Sequence, residues 1–205
     1  MDNVRGYRLV RELGTGYSGT AYLVESPLGP AVMRKCHKEW LSALSPALTD
    51  AVRSAARLRH PSIQRIHEVF EEHARVFIIL EYFEGGTLET GLERGLITGE
   101  TRFRLLRSIA ETLDDAHAQG VVHGDLQPSN IFLQAGEPRI ADFAISRRAL
   151  GLVDIGAHPY LSPEHLAGKP LVPASDQYSL AMIAYLMLGG TPGSWGRPEI
   201  PAPAI

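Results

Sequence analysis

Between Tyr7 and about Glu81 the apolar residues come in short runs broken by glycine, proline and charge, which is the pattern of a small sheet built from hairpins. The runs predict strands near 7–13, 20–26, 31–36, 63–70 and 76–81. Ser26-Pro27-Leu28-Gly29-Pro30 forms one turn cluster, and Glu71-Glu72-His73-Ala74 a polar turn between two of the strands. One helix interrupts this sheet. Ser45 suits its N-cap and Pro46 its first position; Leu48, Ala51 or Val52, Ala55 and Leu58 then line one face until His60-Pro61 ends it.

At Gly85-Gly86 the period changes. Leu105, Ile109, Leu113 and Ala116 recur at helical spacing and predict a long amphipathic helix closed by Gly120. Short apolar pieces follow at Val121-Val122, Ile131-Phe132-Leu133 and Arg139-Ile140-Ala141, then a loop to Pro163. A last helix is expected from about Ser175 to Leu188. It is apolar nearly all round from Leu180 onward, so burial on most sides is expected. The tail from Thr191 is rich in proline and glycine and has no period. The resulting organisation is α+β, with a sheet-based lobe over 1–81, a mainly helical lobe over 82–190 and a tail over 191–205.

Composition narrows the function classes. The 205 residues suffice for a real core, and 44% apolar with 21% charged content is ordinary for a globular protein. A net charge of −3 argues against nucleic acid or an anionic membrane as the main partner. A single cysteine, Cys36, excludes an internal disulfide and points to a reducing cytoplasm. The longest apolar stretch, Ser179 to Leu188, falls short of the roughly 20 residues of a membrane-spanning helix. The eight histidines show no metal-ligand spacing.

Gly14, Gly16 and Gly19 stand between two predicted strands, where glycines let backbone amides approach phosphate oxygens that a Cβ would block. A strand follows them, and not a helix, which disfavours a dinucleotide-binding fold. The most informative segment is His123-Gly124-Asp125-Leu126-Gln127-Pro128-Ser129-Asn130, followed twelve residues after Asn130 by Asp142-Phe143-Ala144. This order resembles the catalytic loop H-R-D-x-x-x-x-N and the D-F-G of protein kinases. Ser162-Pro163-Glu164 is similar to A-P-E, Asp176 stands where the central helix begins, and Glu81-Tyr82-Phe83-Glu84-Gly85-Gly86 resembles the hinge whose backbone binds adenine. The likeness runs from about Tyr7 to Leu188.

The resemblance implies a two-lobed, ATP- and Mg²⁺-dependent phosphotransferase of the Ser/Thr type, acting on protein hydroxyls. On it, Asp125 accepts the substrate hydroxyl's proton, Asn130 and Asp142 supply oxygens to Mg²⁺, and Glu81 belongs to the adenine site. The phosphate-holding lysine of a V-A-I-K run falls within Ala31-Val32-Met33-Arg34-Lys35. One register gives its place to Arg34 and the other to Lys35, and a one-residue step puts these on opposite faces. Its glutamate partner, nine residues before His60, falls on Ala51; Asp50 is adjacent but turned by about 100° on the helix.

Other departures are equally specific. Gly124 replaces the arginine that holds a phosphorylated activation loop, Gln127 the lysine that neutralises the transferring phosphoryl group, Ala157 a threonine bonded to the catalytic acid, and Ala144 the glycine after Asp-Phe. These support an alternative, a pseudokinase that senses nucleotide or acts as a scaffold. Kinase domains continue past the central helix, whereas this sequence ends at Ile205, so an exposed association surface on the helical lobe and a Glu164 without the arginine it pairs with in the family are also expected.

Overall fold

The computed structural model describes residues 3–16, 19–37, 46–143 and 159–190; for 46–51 only the helical backbone is described. Ser45, Ala144, Ala157 and the tail from Thr191 lie outside these residues, and so do the side chains of Leu48, Asp50 and Ala51.

The first lobe is a six-stranded antiparallel sheet. Its strands are β1 (Asn3–Val4), β2 (Tyr7–Gly16), β3 (Gly19–Ser26), β4 (Gly29–Cys36), β5 (Ile66–Glu72) and β6 (Arg75–Glu81), in spatial order β1-β2-β3-β4-β6-β5. The helix α1 (Pro46–Arg57) lies between β4 and β5 in the chain and buries Val52 and Ala55. Alternation sorts β4 and β6 onto two faces. Ala31, Met33, Phe77 and Ile79 join Val4, Val24 and Phe70 in an outer cluster, where Phe70 stacks on Phe77 at 5.2 Å. Val32, Cys36, Ile78 and Leu80 face inward, into a core continuous with the second lobe.

The second lobe contains α2 (Leu88–Glu93), α3 (Glu100–Ala118), a 3₁₀ turn at Pro128–Asn130, the hairpin β7 (Ile131–Gln134) and β8 (Glu137–Ile140), α4 (Pro163–Leu166) and α5 (Pro173–Met187). In α3 the expected stripe is buried, namely Leu105, Ile109, Leu113 and Ala116. Neither α2 nor α4 was predicted. Each is too short to show a period but begins with a hydroxyl cap: Thr87 Oγ1 accepts from Thr90 N at 3.2 Å, and Ser162 Oγ from His165 N at 3.3 Å.

One expectation needs correction. The strand predicted near 63–70 begins only at Ile66, because Ser62–Gln64 serves the other lobe: Ile140 N donates to Ser62 O at 2.7 Å and Gln64 N to Ile140 O at 2.9 Å. The helix α5 is exposed in part, as expected. Ser175, Asp176, Ser179, Ile183 and Met187 form one buried stripe, while Tyr185, at 53% exposure, faces outward with Leu188 beyond the helix end. No described helix is long and apolar enough to cross a membrane.

Candidate functional site

Asp176 organises the site. It sits in the first turn of α5, wholly buried, and a buried carboxylate must find donors. It accepts from His123 N and Gly124 N at 2.8 Å each, and the ring Nε2 of His117 approaches at the same distance. These bonds pin the backbone ahead of Asp125 in a bend where Gly124 has φ +78°, a conformation costly for any residue with a Cβ.

The His123 ring continues the scaffold. Its Nδ1 accepts from Asp125 N at 3.1 Å, so Nε2 carries the proton and donates to Ala141 O at 2.9 Å. The ring also packs at 4.7 Å on Phe143. Asp125 is thereby fixed at 2% exposure. Asn130 closes the turn. Its Nδ2 donates to Asp125 O at 2.8 Å, which leaves Oδ1 as the accepting end, while its own carbonyl accepts from Ala141 N at 2.8 Å. Asp125 and Asn130 thus share one hydrogen-bonded turn, which Ala141 ties to the segment that carries Asp142. The half-buried Gln127 precedes the 3₁₀ turn, and its carbonyl accepts from Asn130 N at 2.9 Å.

Across the lobes, Arg34 meets Asp142. Its Nη2 lies 2.9 Å from Oδ2 and 2.8 Å from Oδ1, both side chains being 13% exposed. The pairing of Arg34 with Ala21 and Ile78 sets this orientation. Lys35 falls on the opposite face, lining a cavity of about 320 Å³ with Leu9, Tyr22, Met33 and Phe77. Asp142 has φ +64°, an uncommon conformation for a residue with a Cβ. Cys36, near this pair, has its thiol pushed up to about 12 by burial, so it stays protonated and inert.

The glycines divide by role. Gly14 and Gly16 are exposed, with open space where a Cβ would stand. Gly19 has φ +136°, and a Cβ there would overlap the Lys35 carbonyl and come within 2.8 Å of Cys36 Cα, so its absence of side chain is a packing requirement of β3 on β4. Glu81 offers less than its sequence position suggests. Its N–H donates to Arg65 O and its carbonyl accepts from Gln64 Nε2, both at 2.9 Å. Glu164 is held by a hydroxyl: Ser175 Oγ donates to it at 2.5 Å, which holds its carboxyl below the usual range.

No group of three or more His, Cys, Asp or Glu among the described residues could hold a metal alone. Asn130 Oδ1 and the Asp142 carboxylate, on these joined segments, nevertheless fit Mg²⁺, which takes one or two protein oxygens and completes its shell with water and phosphate. Sequence reading missed His117 and Gln64, since neither stands in a recognisable motif, and it noted Asp176 without its anchoring role.

A protein kinase domain profile matches residues 7–200. The chain is 32% identical over 197 residues to a calcium/calmodulin-dependent protein kinase type 1 of Macrobrachium nipponense, covering 91% of this chain and 57% of that protein. It is 33% identical over 202 residues to the serine/threonine-protein kinase PknJ of Mycobacterium tuberculosis, covering 90% and 34%. The chain therefore spans about a third to just over half the length of these relatives. The crystal structure of the M. tuberculosis PknI kinase domain superposes with a TM-score of 0.76 at 28% identity, over 97% of this chain and 80% of that one. With that architecture and that catalytic-loop order, the chain belongs to the protein kinase family and has its two-lobed α+β fold.

Proposed function

We propose that the chain transfers a phosphoryl group from ATP to serine or threonine hydroxyls of a protein substrate, in the cytoplasm. The observation that carries this reading is the grouping of the buried Asp125 with the part-buried Asn130 and Asp142, on a loop held by Asp176 and facing a cation from the other lobe. Asp125 orients the hydroxyl and takes its proton at a carboxylate oxygen. Asn130 and Asp142 would hold Mg²⁺, which would draw charge from the phosphates. Arg34 binds phosphate oxygens as a planar fork, and the open space at Gly14 and Gly16 admits the triphosphate to the β2–β3 turn. The adenine lies against the Glu81 backbone, which must share its carbonyl with Gln64. Gln127 stands beside the transfer as a neutral donor.

The alternative reading is a nucleotide-sensing or scaffolding module, favoured by the neutral Gln127 and by the capture of Asp142 by Arg34. Labelled γ-phosphate transfer to a mixed Ser/Thr protein substrate separates the two. Transfer that falls by about 10²–10⁴ in Asp125→Asn supports the enzyme; absence of transfer alongside intact nucleotide binding supports the module.

A further inference from the structure

The ion pair between Arg34 and Asp142 has a consequence for the order in which ligands enter. Both carboxylate oxygens lie within 2.9 Å of one guanidinium nitrogen, so the cation sits across the mouth of the carboxylate. Each partner is mostly withdrawn from water, where a charge-assisted contact of this kind is strengthened. The guanidinium keeps its charge at all ordinary pH and cannot yield by losing a proton, as an ammonium group can. Mg²⁺ needs a carboxylate oxygen at about 2.0–2.1 Å with its own solvent shell around it. A divalent ion and the Arg34 head cannot share that space without like-charge repulsion. The same guanidinium is the group on β4 that would bind the triphosphate.

We propose that Arg34 occupies the metal position of Asp142 in the nucleotide-free chain, so that nucleotide must bind first, drawing the guanidinium onto its phosphates, before a divalent cation can enter. The inference rests on the nucleotide-site reading above. It makes Asp142 a competitor of the triphosphate for Arg34 when metal is absent, and Arg34 a competitor of the metal when nucleotide is absent.

Two measurements on the full chain test this. The first follows Mn²⁺ binding by electron paramagnetic resonance without nucleotide, in the wild type, Arg34→Met and the double variant Arg34→Met/Asp142→Asn. Arg34→Met should bind Mn²⁺ about tenfold more tightly than the wild type, and the double variant should lose the gain. Should Arg34→Met not melt cooperatively, Arg34→Gln carries the same comparison. Equal Mn²⁺ binding in the wild type and the Arg34 variant overturns the proposal. The second measures ATP affinity in EDTA. Asp142→Asn should bind ATP about tenfold more tightly than the wild type by releasing Arg34, and the gain should vanish in the Arg34→Met background. A gain that persists there comes from the lost carboxylate charge alone and contradicts the proposal. If no variant binds ATP, the nucleotide reading fails, while the Mn²⁺ comparison still decides the role of Arg34.

Discussion

At Gly124 a residue type and a backbone angle explain each other. The replacement of the arginine usual in this place reads in the sequence as a loss of regulation; in the structure it also relieves a φ of +78° imposed by the two backbone bonds to Asp176. Gly124→Ala should therefore destabilise the chain by about 1–2 kcal/mol in urea unfolding. An unchanged midpoint would mean that the bend relaxes at no cost. Gln127 lacks the charge of the lysine it replaces, so Gln127→Lys should raise phosphoryl transfer by about tenfold or more, measured as initial rate at saturating ATP. Glu164 is held below the ordinary carboxylate range chiefly by the Ser175 hydroxyl. A depressed folded value gives stability that is present above the unfolded pKa and lost as pH falls through the folded one. Ser175→Ala should return the Glu164 titration toward its usual value, as followed by side-chain carbon NMR, and so diminish that acid-sensitive part of the stability. The same hydroxyl accepts from Val172 N at the start of α5, so the variant also loses a helix-end bond.

Among the elements, what could be read in the sequence depended on length and period. The stripe of α3 was legible because Leu105, Ile109, Leu113 and Ala116 repeat over several turns, and the hairpins because their turn residues are distinctive. The helices α2 and α4 were not, being shorter than two turns, and β5 begins later than expected because Ile63, which alternates with polar neighbours as in a strand, pairs with β8 instead. The site shows the same division. The residues of the catalytic loop were legible as a motif, whereas the choice between Arg34 and Lys35 was not, since strand register depends on partners distant in sequence. The buried stripe of α5 was obscured by its apolar outer face. Its most consequential member is polar: Asp176→Ala would orphan two buried N–H groups at His123 and Gly124, and should cost about 2–5 kcal/mol in chemical unfolding. A cost below about 1 kcal/mol would show that water or His117 replaces the carboxylate.

For the molecule as a whole, the two lobes are joined by more than the chain connection at 82–86. The Ser62–Gln64 segment pairs with Ile140, two residues before Asp142, and Arg34 reaches Asp142 itself. One core also runs from Val32 and Ile78 to Ile183 and Met187. A ligand bridging Arg34 and Asp142 should therefore tighten both lobes together. Ligand binding to the folded state raises the melting temperature by mass action, which makes thermal unfolding a direct report of that bridge. The most direct test is the melting temperature of the wild type and Asp142→Ala with ATP, with and without Mg²⁺. A rise that grows with Mg²⁺ in the wild type, and loses its Mg²⁺-dependent part in Asp142→Ala, is the predicted result. A cooperative melt that ATP and Mg²⁺ leave unmoved in both proteins would contradict the nucleotide site and leave a kinase-shaped interaction module.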